Sequence, residues 1–171
     1  MTMQFCRTAT VSLVALAASF AIAAAETPLP AAIAAPGETV VLTVHAVGMQ
    51  YYECKPDADG KLIWTFNSPQ ATLTTGDKVV GYHGAGPNWE LLDGGGITGK
   101  VVANSPGKNA NDIPWLKLEV ASHKGSGGQL ADVTTVQRIN TVGGVLKGAC
   151  DREKAGLGMP YAADYVFLRK S

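Results

Sequence analysis

Much of what this chain says comes from what it lacks. It has only three cysteines in 171 residues, 7% aromatics, and 14 basic residues balanced by 14 acidic ones. Neutrality without a basic run excludes a nucleic-acid partner, because displacing counterions takes several clustered Lys or Arg side chains. It also excludes electrostatic docking on anionic lipid. No Cys-x-x-Cys spacing occurs, which removes the usual thiol redox site. His45, His83 and His123 are far apart in sequence, so the local ligand pair that commonly anchors a catalytic zinc is missing and no cofactor is expected. No Gly-x-Ser-x-Gly nucleophile elbow occurs; Gly125-Ser126-Gly127-Gly128 has the wrong spacing. Beyond the N-terminal segment, no window of eleven or more residues carries a helical apolar stripe.

What is present begins at the N-terminus. Met1 to Arg7 supplies one positive charge, Thr8 to Ala24 is apolar or small, and Ala23-Ala24-Ala25 is a small-x-small cleavage pattern. That order predicts a cleaved signal peptide over residues 1–25, with an apolar core too short and too alanine-rich for a good membrane span. The expected location is secreted or periplasmic, with no membrane insertion after cleavage. Arg7 leaves with the signal, so the mature chain holds one more acid than base. Cys6 leaves too. Cys54 and Cys150 then remain in an oxidising compartment, where a disulfide is the default. Glu53 and Asp151 beside them are the wrong neighbours for a reactive thiolate.

Residues 26–38 (ETPLPAAIAAPGE) read as an extended, Pro/Ala-rich lead-in. From residue 39 to 171 the pattern is that of one β domain. Short apolar runs occur at Thr39–His45, Met49–Cys54, Lys61–Phe66, Lys78–Tyr82, Trp89–Leu92, Ile97–Ala103, Trp115–Ala121, Val133–Ile139 and Tyr161–Leu168. Leu116, Leu118 and Val120 alternate with Lys117 and Glu119, the mark of a half-buried strand. About nine short strands separated by turn residues predict an all-β antiparallel sandwich or barrel. Tyr51 and Tyr52 must face opposite sides, so one is a candidate exposed platform for a sugar or small ligand, while Trp64 and Trp115 are assigned to the core. His45 falls on the polar face of its run, and His123 is placed in a polar loop.

Two clusters could carry chemistry. Gly81–Lys100 (GYHGAGPNWELLDGGGITGK) sets His83, Trp89, Glu90 and Asp93 among glycines, which allow close backbone approach. Within it, Gly94–Lys100 imitates a phosphate loop, but Val101 stands where a metal-holding Ser or Thr belongs and no helix pattern follows. The second cluster, Gly128–Gly144, carries Gln137, Arg138 and Asn140. Arg138 could grip a carboxylate ligand through its planar fork. Pairing with an internal acid, Asp132 or Asp93, is the preferred expectation.

Together these segments resemble a known family. Gln50-Tyr51-Tyr52-Glu53-Cys54, the run Val80 to Glu90 with Asp93-Gly94, Ile113-Pro114-Trp115-Leu116, and Val136 to Gly144 with Cys150 are similar to the secreted domain-of-unknown-function 3455 family, over about Ala34 to Leu168. In that family's His-Tyr-Ala-Gly-Pro-x-Trp-Glu run, Gly84 here replaces the tyrosine. The resemblance implies a signal peptide, a cysteine pair and a β-rich fold, and it singles out His83, Trp89, Glu90, Asp93, Gln137, Arg138 and Asn140. It carries over no catalytic residue. The leading expectation is an exported, non-catalytic or envelope-associated module that binds a small molecule or glycan. The alternatives are a secreted hydrolase or metal-dependent enzyme using His83 with Glu90 or Asp93, and a structural or stress-related extracellular protein.

Overall fold

The computed structural model describes residues 28–125 and 127–171; the expected signal peptide lies outside them. Alternating side chains make eight antiparallel strands: β1 Glu38–Pro56, β2 Leu62–Thr75, β3 Lys78–Gly84, β4 Asn88–Leu91, β5 Gly96–Ser105, β6 Trp115–Lys124, β7 Thr135–Gly143 and β8 Gly156–Lys170. Each pairs with the next, and β8 returns to β1, so the sheet is a closed up-and-down barrel. This settles the choice between sandwich and barrel. Closure runs along fifteen matched pairs from Glu38↔Lys170 to Glu53↔Gly156, so the first and last strands are not free edges.

The strand count falls from about nine to eight because Thr39–His45 and Met49–Cys54 are one strand. Gly48 joins them. A Cβ on it would lie 2.0 Å from the Gln70 carbonyl oxygen, so glycine lets β1 and β2 approach closely there. β2 also runs nine residues past the expected Phe66, through Ser68-Pro69, to Thr75. His123 is a strand residue, with Nε2 bonded at 2.9 Å to the Val133 carbonyl.

The lead-in is not purely extended. Ala31–Ile33 forms one 3-10 turn, and Ile33 is fully buried against the outer wall. Gln137 Nε2 donates to the Ile33 carbonyl at 2.7 Å, and Lys117 Nζ to that of Ala34 at 3.0 Å. These bonds hold the segment across β6 and β7 like a strap.

Because strands alternate in direction, the connections fall at two ends. Connections 76–77, 92–95 and 125–134 close one end; 57–61, 85–87, 106–114 and 144–155 surround the other. Near the first, Val44, Leu73, Leu91, Leu118, Val136 and Phe167 fill the lumen, and Leu130 and Val133 cap it from the 125–134 connection. At the second end, Cys54 is bonded to Cys150 with Cα atoms 6.0 Å apart, tying the long β7–β8 connection to β1. The bridge closes a 96-residue separation. Among the described residues no helix is long and apolar enough to cross a membrane.

Candidate functional site

The inward alternation that packs the first end carries different residues toward the second. On β1 it passes from Val44 and Ala46 through Gly48 to Gln50 and Tyr52, and on β8 from Phe167 back to Tyr165 and Tyr161. His83 and Trp89 face each other across β3 and β4, and Arg138 is paired with Tyr165 across β7 and β8. Gly99 makes room beside them, since a Cβ there would lie 3.1 Å from the Trp89 ring. The rings of His83 and Trp89 stack at 4.8 Å and 14°, and Tyr165 leans on both at 4.9 and 5.4 Å.

Above this aromatic floor lies a cavity of about 560 Å³, within the range that small-molecule sites occupy. Its walls include Phe66, Pro69, Pro87, Val101, Pro114 and Leu116, and its floor Gln50, His83, Trp89, Tyr165 and Arg138. The mouth opens at the disulfide-tied end, where Phe66 and Val101 are half exposed.

The floor is buried yet poorly satisfied. Gln50 Nε2, the Trp89 indole N–H and the Tyr161 and Tyr165 hydroxyls are enclosed without a hydrogen-bond partner. Gln50, Tyr161, Tyr165 and Arg138 follow one another as near neighbours, close enough for loose hydrogen bonding from Gln50 to Tyr161, between the two tyrosines and from Arg138 to Tyr165, but none of these contacts reaches full hydrogen-bond geometry. Orphaned polar groups of this kind each cost about 1–3 kcal/mol, so they are rare without a reason. Burial drives both tyrosine hydroxyls well above their usual ionisation range, and they stay neutral. Burial also pulls His83 down to about 4; its Nδ1 donates to the Asn88 carbonyl at 2.6 Å, which partly opposes the drop, and the nearby Arg138 charge adds to it. His83 is therefore a neutral imidazole near pH 7, with Nε2 as its lone-pair nitrogen.

Arg138 corrects an expectation. It pairs with neither Asp132 nor Asp93; among the described residues it has no ion pair at all. Its Nε and Nη2 donate instead to the Pro114 carbonyl at 3.1 and 2.8 Å. The reason is topological. Strand alternation turns Arg138 inward at the open half, whereas Asp93 sits in the β4–β5 connection at the far end, accepting bonds from Gly95 N at 2.9 Å and Gln129 N at 2.8 Å. Those backbone donors hold the Asp93 carboxyl below its usual range.

The other sequence candidates also separate. Glu90 follows Trp89 in β4 and therefore faces outward, where Lys124 Nζ meets it at 2.7 Å. Gln137 faces outward under the strap. Asn140 adopts a left-handed φ of 51° on a bulge and donates to Asp164 Oδ2 at 2.9 Å, beside the His45–Asp164 contact at 2.8 Å. So the structure brings His83, Trp89 and Arg138 to one cavity, sets Glu90 on the far side of the wall, where it and His83 both border an outer groove, and leaves Asp93, Gln137 and Asn140 elsewhere. No group of three or more His, Cys, Asp or Glu residues placed to hold a metal occurs among the described residues. Sequence reasoning missed Gln50, Tyr161 and Tyr165. The available signal was a polar residue in an inward register: Gln50 continues the Val44–Ala46–Gly48 face, and both tyrosines continue the Ala163–Phe167 face.

Tyr51 is the outward member of its pair, and with Tyr82 it lines a shallower groove of about 460 Å³ on the outer wall of β1 to β4. Trp115 is buried; Trp64 is only partly so.

The fold and cavity define a class: an eight-stranded up-and-down barrel packed at one end and hollow at the other. Over residues 35–78 and 74–169 the chain matches a family model described as "Protein of unknown function (DUF3455)", and it belongs to that family. No curated protein and no solved structure matches it.

Proposed function

We propose that the protein is an exported, non-catalytic binding module that holds a small molecule in the open half of its barrel. The observation that carries this reading is the cavity itself: about 560 Å³, walled by apolar side chains and floored by buried donors without partners. A ligand would satisfy groups that the fold leaves orphaned. The enzyme reading has less support: His83 and Glu90 both border the outer groove, but the His83 ring is buried and stacked on Trp89 in the lumen, Glu90 is paired with Lys124, and Asp93 lies at the far end. Export rests on the N-terminal charge, apolar run and Ala23-Ala24-Ala25, and the Cys54–Cys150 bond is in keeping with an oxidising compartment.

The direct test is titration of the mature protein with a neutral apolar fluorophore, N-phenyl-1-naphthylamine. Saturable enhancement is expected in the parent protein, with loss in Leu116→Trp, which fills the cavity. Absence of binding, or binding that ignores Leu116→Trp, would remove the barrel interior as the site. Sequencing the exported protein should find Glu26 at its N-terminus.

A further inference from the structure

We infer that the ligand of this cavity is a monocarboxylate with an apolar body, its carboxylate taken by Arg138 together with the buried donors of Gln50 and Tyr165. The inference rests on the binding reading above and narrows it to a chemical class.

Charge is the first argument. Among the described residues Arg138 is the only side chain of permanent charge lining the cavity, and no Asp or Glu of theirs lines it. Arg138 is half-buried, so water screens part of its charge, and no acid of the described residues pairs with it. Here the chain offers only the Pro114 carbonyl, which occupies two of the five guanidinium N–H donors and leaves the rest for another acceptor. The neutral His83 adds no second cation, so the cavity suits one negative charge.

The balance of donors and acceptors is the second. Gln50 Nε2, Trp89 Nε1 and the Tyr165 hydroxyl all lack partners, and each can donate. A polyol would bring an O–H donor on every oxygen and so add donors to a floor already rich in them. An ammonium would bring only donors, beside a fixed cation. A carboxylate brings two oxygens, about four lone-pair positions and no donor. Shape supplies the third argument. The charged and buried polar groups form the floor, whereas Phe66, Pro69, Pro87 and Val101 make the upper wall and mouth largely apolar, with the exposed Asn67 among them. A ligand that enters head first thus leaves its hydrocarbon against hydrocarbon. One carboxylate fits, since a second would lie against that apolar wall.

Three probes of equal length separate the possibilities: octanoate, 1-octanol and octylamine, each titrated at pH 7 in competition with N-phenyl-1-naphthylamine on the full mature protein. Octanoate should displace the dye about 10- to 100-fold more tightly than octanol, the span expected of a charge-assisted hydrogen bond. Octylamine should be the weakest. Arg138→Met should erase the preference for acid over alcohol. Tyr165→Phe, which removes one hydroxyl and keeps the ring, should narrow it, and this arm keeps the proposal testable if Arg138→Met fails to fold. Glu90→Gln, on the outer wall, is the control and should preserve the preference. Equal displacement by acid and alcohol, or preference for the amine, overturns the carboxylate class but leaves a binding cavity standing. If the dye does not bind and none of the three probes shifts thermal unfolding, both the class and the binding module fall. A preference that survives in Arg138→Met and Tyr165→Phe alike also refutes the assignment.

Discussion

The two halves of the lumen are built from the same eight strands and obey opposite rules. Toward the closed end, inward positions are aliphatic or phenylalanine, fully buried and mutually packed. Toward the open end, the same inward registers carry Gln50, Tyr52, His83, Trp89, Arg138 and Tyr165 around a void, several with unspent hydrogen bonds. The closed half is built for stability. The open half gives stability away, and it relies on other devices to keep its shape: the Cys54–Cys150 bridge, the Tyr52 hydroxyl donating to the Gly144 carbonyl at 2.7 Å, and Asp112 accepting from Gly143 N at 2.8 Å. The contrast teaches that packing here serves as a foundation for a site and is not distributed evenly.

If the contrast is real, truncation in the closed half must cost far more than truncation at the mouth. Phe167→Ala, at a fully buried position, should destabilise by about 3–5 kcal/mol in urea unfolding. A value near that of a surface change would erase the distinction. Replacing Cys54 and Cys150 together by serine should cost about 2–4 kcal/mol. Hydrogen exchange should then quicken first in residues 144–155, leaving β6 and β7 near Leu118 and Val136 protected. Uniform quickening would mean that the bridge serves the whole barrel.

Acid should act through the aromatic floor. His83 is held down to about 4 in the folded chain from an ordinary 6.5, so between these values the unfolded chain binds the extra proton. Stability is therefore complete above about pH 6.5 and is lost as pH falls toward 4, by about 2 kcal/mol at pH 5. His83→Phe should flatten this part of the profile, as followed by thermal unfolding across pH. Smallest in stability is Phe66→Ala, at a side chain 49% exposed. It should shift unfolding by about 1 kcal/mol or less, while weakening dye binding at the mouth. A large loss of stability with unchanged binding would reverse the assignment of the two halves.

Much of the closed half could be read in the sequence, and little of the open half. Leu118 and Val120 alternate with Lys117 and Glu119, and the alternation alone places them inward. The cysteine pairing followed from a count of two. Closure into a ring was not legible, because β1 and β8 meet through residues more than a hundred apart, and pairing at that distance leaves no local mark. Gly48 misled by looking like a break, since a turn glycine and a close-approach glycine are the same letter. Glu90 and Asp93 drew attention by lying near His83 in the chain. Strand geometry then sent Glu90 through the wall and Asp93 past the end of its strand. Arg138 shows the reverse. Its chemistry was visible, but the absence of a counter-charge could be seen only once every acid had been placed.

The seam between β1 and β8 has a consequence in time. The strand that opens the barrel's sheet is zipped along most of its length to the one that finishes it, so a chain emerging from its N-terminus has no partner for one side of β1 until Lys170 has appeared. A half-made chain holds a curled, open-edged sheet and no finished lumen. Contacts of such long range make folding slow and leave exposed edges along the way. The barrel is thus completed all at once and late, and a truncation of even one strand from the C-terminus should yield no smaller barrel.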